Sequence, residues 1–340
     1  MKRFSASALT FFLLVSFIGA QTATQPKLSG YLSAEYAKSE EGGIYPEGTF
    51  ENPQLGLMLS GMLVGKVGYV AEAVLRQDAK VDLNQALLAI GFSNAIAVNL
   101  GLYLVPFGQY NEISRAHQTF LIQRPLSVDN LYPLIWRDIG VQAEGSILGL
   151  FYSVYLGNGL SDGDRFDGGQ QFKDNNANKA FGGRLAWDID GKFMVGYSYY
   201  RGKYDDDNSK NRVLHGVDAS WGSSGFQIFG EYTWTDIQNP GEYANGEGKG
   251  YFILLTFDFM DVWPVVSYQN LDYQDPFRGL GYTGPDNPGE GISEQRERWS
   301  LGFVYILSQM AFFKFEYQIN KEEGLSIKDN VYLVQIALSF

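Results

Sequence analysis

The chain of 340 residues has no cysteine, 40 glycines, 11 prolines, 15% aromatic residues and a formal net charge of -12. Lack of cysteine excludes a disulfide framework, thiolate chemistry and Cys-based metal sites, and the acidic balance argues against a nucleic-acid partner. Two histidines leave little for zinc, and the mean hydropathy of -0.16 is what a chain with one wet and one oily face per strand would give.

At the amino terminus Lys2 and Arg3 precede an apolar run from Leu9 to Ile18, followed by Gly19-Ala20 before Gln21. A charged start, a short apolar stretch and small residues read as a secretory signal peptide over residues 1–20, cut after Ala20. The run is too short to span a bilayer, and no Cys follows the cut for lipid attachment. Loss of two cations takes the formal charge of the exported chain, residues 21–340, from -12 to about -14. No later segment holds the 18 or so unbroken apolar residues a membrane helix needs, so a membrane role requires a barrel.

From there, period-2 alternation between turn residues predicts strands at 27–38, 53–63, 66–77, 80–92, 95–105, 137–147, 149–157 and 180–189. The same pattern continues at 192–203, 213–222, 225–236, 249–259, 262–273, 297–308, 310–320 and 330–340. Short turns such as Ser93-Asn94, Asp190-Gly191, Ser223-Ser224 and Ser308-Gln309 alternate with longer polar connections, and both termini fall on the short-turn side. In 225–236, Phe226, Ile228, Tyr232 and Trp234 share one face and Gln227, Glu231, Thr233 and Thr235 the other. The segment 310–320 sets Phe313, Phe315, Tyr317 and Ile319 against Lys314, Glu316, Gln318 and Asn320. Trp187, Trp221, Trp234, Trp263 and Trp299, near strand ends, fit interfacial aromatic girdles. The chain ends on Tyr332, Val334, Ile336, Leu338 and Phe340, which resembles the terminal signal of bacterial outer-membrane barrels. A soluble β-sandwich also alternates, but it rarely combines long uniform strands, an export signal and a terminal Phe. The fold expected is all-β, a 16-stranded antiparallel transmembrane β-barrel wide enough for a water-filled lumen, closed by pairing of the last strand with 27–38.

The third long connection, residues 106–136, is the longest stretch without clean alternation, yet it holds Phe120, Leu121, Ile122, Leu131, Tyr132, Ile135 and Trp136. It is too apolar to wave in solvent, so this third external loop is expected to fold inward and narrow the barrel.

The series Leu100-Gly101, Val105-Pro106-Phe107-Gly108, Gln123-Arg124, Arg137-Asp138-Ile139-Gly140-Val141-Gln142 and Gly157-Asn158-Gly159 resembles the phosphate-selective porin O/P family. The motifs cover roughly residues 96–160. The resemblance implies a 16-stranded outer-membrane channel, usually a homotrimer, whose inward loop makes a constriction passing small anionic solutes. By motif match it implies Arg124 and Arg137 as positions near that constriction. Members of the family carry a basic cluster on the loop, whereas here Arg115, Arg124 and His117 stand against Glu112 and Asp129. Arg76 and Arg184 alternate onto plausible lumen faces, with Glu72 and Asp138 opposing them. Such a mixed constriction orients dipolar or zwitterionic solutes and discriminates weakly by net charge, since anion selection asks for a ring of cations at the narrowest point. For each Arg the competing reading is a salt bridge anchoring the loop to the wall.

The expected function is an outer-membrane porin passing small hydrophilic, anionic or zwitterionic solutes, with a substrate-specific channel for phosphate, carboxylates or hydrophobic compounds as the alternative. Outer-membrane lipid, lipopolysaccharide and two further copies of the chain are the expected partners, and no cofactor is implied. Asp205-Asp206-Asp207-Asn208 and Ser161-Asp162-Gly163-Asp164 are dense in oxygen ligands but fit no full EF-hand spacing. Gly279-Leu280-Gly281 lacks the helix and Lys of a phosphate cradle. An outer-membrane hydrolase is the rival of another class, but His215 and Asp218 fall on opposite faces of one strand and no Gly-x-Ser-x-Gly elbow is present.

Overall fold

The computed structural model describes residues 25–340 except 94, 280–290 and 325, so the signal peptide and Leu280-Gly281 lie outside the described residues. Alternation is realised as sixteen strands: β1 Lys27–Ser39, β2 Thr49–Val64, β3 Val67–Leu75, β4 Val81–Ser93, β5 Ile96–Leu104, β6 Arg137–Ile147, β7 Leu150–Gly157 and β8 Ala180–Ile189. The second half comprises β9 Phe193–Lys203, β10 Asn211–Ser223, β11 Phe226–Ile237, β12 Gly246–Phe257, β13 Val262–Asp275, β14 Ile292–Ser308, β15 Ala311–Glu322 and β16 Val331–Ser339. Each strand pairs antiparallel with its sequence neighbours, and β1 pairs with β16 from Tyr31↔Ser339 to Ser39↔Val331, so the barrel is closed. Closure removes the exposed edges that a lipid environment would leave unsatisfied.

Sequence and structure agree on every strand and differ mainly at the ends. β2 and β14 begin at Thr49 and Ile292, several residues before the alternation becomes clean, because their long-loop ends are held by backbone pairing with β1 and β13, which needs no alternation of side chains. Tight turns sit between β2 and β3, β4 and β5, and so on to β14 and β15, on the side of both chain ends. Asp190 and Gly191 both take positive φ, 58° and 64°, as do Leu148 and Gly149 at 50° and 82°. Those left-handed pairs are type I′ turns, whose twist matches that of the flanking strands.

Outward side chains form the oily belt: Leu57, Val154, Leu185, Ile253, Leu301 and Ile336 all point away from the interior and are exposed. Trp187, Trp221 and Trp299 are exposed on that surface, and Trp234 stacks there on His215 at 4.7 Å. Trp263 departs from the girdle expectation: it points inward and stacks on Phe120 at 5.7 Å. Inward, Glu231, Thr233, Thr235, Lys314, Glu316 and Gln318 are almost fully covered. Something other than water therefore occupies much of the interior.

Candidate functional site

That occupant is the connection between β5 and β6. Asn111 closes its neck, donating to the carbonyls of Val105 and Trp136 at 2.8 and 2.9 Å and accepting the Trp136 amide at 2.8 Å. The chain then meets the inner wall repeatedly. Gly108 N–H donates to Ser198 of β9 at 2.9 Å, and the amides of Gln109 and Tyr110 donate to the Glu231 carboxylate of β11 at 3.2 and 3.3 Å. Tyr132 donates to the same carboxylate at 2.9 Å. Further on, the Leu126 amide reaches Gln269 of β13 at 3.0 Å and the Ile122 amide reaches Glu316 of β15 at 2.7 Å. Lys314 of β15 donates back to the Ala116 carbonyl at 2.6 Å and to Thr119 at 3.1 Å. Contacts on β3, β9, β11, β13 and β15 mean that the segment crosses the interior of the barrel.

Its apolar residues explain why it stays there. Phe107, Tyr132 and Trp136 form a ring cluster with centroids 5.2–6.0 Å apart, joined to Tyr200 of β9 at 4.9 Å. Tyr110 stacks on Phe229 and meets Phe252 edge-on at 5.7 Å. Leu126, Val128 and Leu131 of the single helical turn α1, Leu126–Leu131, are buried in the same core. Gly108 has φ 61° and lies so close to Glu231 that a Cβ would overlap the carboxylate, which is why the Pro106-Phe107-Gly108 motif ends on glycine.

Most of the arginines singled out from the sequence are spent on protein partners, but only Arg115 ties the loop to the wall, the others bridging residues of the wall itself. Arg115 forms a two-pronged pair with Glu72 of β3, at 2.8 and 2.6 Å. Arg184 pairs with Asp218 at 2.6 Å, both nearly unexposed, across Gly196 of β9, where any Cβ would displace the pair. Arg76 donates to Asp82 at 2.6 Å. Arg137 donates to Asn84 at 2.7 Å and lies 5.2 Å over the Phe172 ring. A bulge in β4 opposite Glu72 turns both Asn84 and Gln85 inward, toward Arg137 and Glu72 respectively. Asp138 does not oppose a lumen cation. It accepts the amides of Ile139, Asn158 and Gly159 at 2.7–3.0 Å, tying the Arg137-Asp138 motif to Gly157-Asn158-Gly159 at the base of the next loop.

Apart from Arg115, the acidic, basic and histidine loop groups singled out from the sequence make no side-chain hydrogen bond or ion pair among the described residues. Arg124 makes no hydrogen bond or ion pair among the described residues, and its charge is felt by Asp129, Tyr110, Tyr132 and Arg76. Burial pulls its guanidinium down from the ordinary value, partly offset by Asp129, which is itself exposed. Glu112 likewise has no side-chain partner among the described residues. Desolvation pushes its carboxyl up to about 7, with Arg184 opposing and Glu144 and Asp218 adding to the rise. For Arg115, burial works against the charge, but bidentate contact with Glu72 prevails and raises its pKa. His117 packs on Tyr31 at 5.2 Å, and burial, with Arg115 and Lys314 nearby, lowers it to about 4, so it is neutral near pH 7.

Below the segment a chamber of about 1190 Å³ opens at the short-turn end. Residues 112–120 roof it, and Gln85, Asn99, Gln142, Ser153 and Trp263 are among its walls. Glu112, Arg115 and His117 face this chamber, whereas Arg124 does not line it. Other external connections also lean in: Arg212 of β10 donates to the carbonyls of Phe166 and Leu131, and Arg278 pairs with Asp162 while lying 4.5 Å over Tyr204. Asp205 is spent on its own turn, accepting from Ser209 and Lys210. Among the described residues no three His, Asp or Glu side chains gather as metal ligands. His215 faces outward and shares a hydrogen bond of 2.7 Å with Tyr197, far from the chamber, while Asp218 faces inward to Arg184.

Glu231, Glu316, Gln269 and Lys314 hold the segment, and sequence patterning alone did not single them out as its anchors. Their one visible signal is an inward position in the period-2 alternation, shared with Thr233 and Thr235 on β11, Ser267 on β13 and Gln318 on β15.

No protein-family model matches the chain, and no curated protein matches it. Solved structures do. OmpT, an outer membrane protein of Vibrio cholerae, folded in vitro and in its trimer form, is similar with TM-score 0.64 at 11% identity, over 94% of this chain and 100% of that one. OmpF of Salmonella typhi in complex with daunomycin gives 0.66 at 12%, over 93% and 97%. The outer membrane channel DcaP of Acinetobacter baumannii gives 0.64 at 13%, over 94% and 97%. This likeness is one of fold: a porin-like barrel of sixteen antiparallel strands.

Proposed function

We propose that the protein is an outer-membrane porin through which small hydrophilic, anionic or zwitterionic solutes and ions diffuse passively, with residues 106–136 as its constriction. The observation that carries this reading is a closed barrel, oily outside and polar inside, crossed by a loop whose Arg124 is left without a protein partner. A cation that is spent on no salt bridge can meet a solute, and its delocalised fork suits carboxylate or phosphate. In this reading Arg115 anchors the loop to Glu72, while Arg76, Arg137 and Arg184 brace the barrel wall through Asp82, Asn84 and Asp218. Asp129 beside Arg124 supplies the opposite charge that favours zwitterions over simple anions.

Residues 1–20 serve as the export signal, and the short-turn end with both termini faces the periplasm. The motif series from Leu100 to Gly159 supports kinship with the phosphate-selective porins, with less cationic loops than that name asks for. A homotrimer is supported by the trimer form of the Vibrio cholerae protein of like fold. Acidic residues of the long connections such as Glu40 and Glu41, the latter also 3.0 Å from Lys328, would bind divalent ions loosely alongside lipopolysaccharide.

Planar-bilayer recording under a salt gradient tests the proposal. Stable conductance with a reversal potential on the anion side, reduced by Arg124→Ala, is expected. A folded protein that does not conduct, or that clearly prefers cations before any substitution, overturns it.

A further inference from the structure

The chamber below the loop has a chemistry opposite to that of Arg124. Its cations are committed: Arg115 to Glu72, and Lys314, 1% exposed, to the Ala116 carbonyl and Thr119. His117 is neutral, and Lys27 sits on the rim at the start of β1. What is left free inside is negative. Glu112 has no partner, and Glu144 of β6 lies near enough to feel its charge while accepting only from Asn99 at 3.0 Å. Asn99, Gln142 and Ser153 continue that side as a linked polar row, with hydrogen bonds of 2.9–3.0 Å. The β13–β15 side is apolar: Phe120 stacked on Trp263 at 18°, with Val304 and Phe312. A large cavity with carboxylates and amides on one side and aromatic faces on the other is complementary to a molecule with a cationic head and an apolar or aromatic body.

We infer that this inner chamber is a binding site for amphipathic organic cations, held by Glu112 and Glu144 at the head and by Phe120 and Trp263 at the body. The site goes beyond passive diffusion, because it gives one class of solute a residence on the short-turn side of the loop. Among the described lining residues the one uncommitted cation is Lys27, exposed at the rim, so an anionic head has no cation beside Glu112 and Glu144 and is disfavoured there. The affinity carries a pH signature. With Glu112 pushed up to about 7 by burial, and with Glu144 and Asp218 raising it against Arg184, the carboxylate ionises as pH rises from 6 to 8, and cation binding strengthens over that interval.

The test uses the folded full-length barrel in detergent, so that binding is read without conduction. Benzyltrimethylammonium, tetramethylammonium and benzoate are titrated while tryptophan fluorescence is followed, with Trp263→Phe identifying the responding ring. Saturable binding is expected for benzyltrimethylammonium, at least about fivefold tighter than for tetramethylammonium or benzoate. Glu112→Gln and Glu144→Gln should each weaken it about fivefold or more, and Glu112→Gln should also remove the pH dependence. Trp263→Leu should weaken it by about 2- to 30-fold, the range a lost cation–π and stacking contact gives. Heat-modifiable migration on gels checks that each variant is folded. Equal binding of benzoate, or affinity unchanged in both Glu variants, overturns the site. Conductance without saturable binding also sinks it and leaves the channel reading intact, whereas binding without conductance does the reverse.

Discussion

At the scale of single residues, two arginines of one loop have opposite fates. Arg115 and Arg124 lie nine positions apart and look alike in the sequence, yet one is paired to Glu72 and the other is free. Removing Arg115 leaves a carboxylate that is 1% exposed without its partner, a loss of roughly 3–5 kcal/mol for a broken buried pair. Arg115→Ala should therefore lower the guanidinium midpoint strongly, and the double variant with Glu72→Leu should recover most of it. Arg124→Ala should leave that midpoint within about 0.5 kcal/mol of the parent and move only the reversal potential. Glu112 gives a pH effect of defined sign. A carboxyl raised to about 7 favours the docked loop when neutral, so its contribution is fully present below the ordinary carboxyl pKa and is lost as pH rises to about 7. Loop protection, read as resistance to proteolysis between pH 5 and 8, should fall with rising pH in the parent and not in Glu112→Gln.

Among elements, the strands and the inward loop differ in how they are encoded. A strand's signature is local: in β11, Tyr232 and Trp234 alternate with Glu231, Thr233 and Thr235, and the pleat turns that order into two faces. The loop's conformation depends on partners up to 198 positions away, as between Lys314 and Ala116. Its apolar composition announced that it would be buried, but nothing in its own residues named Glu231 as the acceptor of Gln109, Tyr110 and Tyr132. That carboxylate is the main socket. Glu231→Ala removes three acceptor contacts at once, and single-channel recording should show higher and noisier conductance with the barrel still heat-modifiable. β9 contributes through an absence: Gly196 leaves the gap in which Arg184 and Asp218 meet, and Gly196→Leu should destabilise as much as loss of the ion pair itself.

For the whole molecule, closure rests on the seam between the first and last strands. Phe340 exchanges both backbone hydrogen bonds with Gly30, at 2.9 Å each, at the short-turn end of that seam. Deleting Phe340 should cut the yield of the heat-modifiable, folded band while leaving far-ultraviolet β content in the remaining population. The sequence by itself determined the strand number, the antiparallel order, the outward oily face and the burial of the third loop, because each follows from alternation, turn residues and composition read within a few neighbouring positions. Tertiary structure alone decided which charges are spent and which are free. Arg137 became an anchor of Asn84, Trp263 turned from the expected girdle into the lumen, and Arg124 and Glu112 were left unpaired on the segment that crosses the barrel. The physical reason is that a salt bridge or a ring stack depends on distances of a few ångströms between residues far apart in sequence, and only the closed barrel sets those distances.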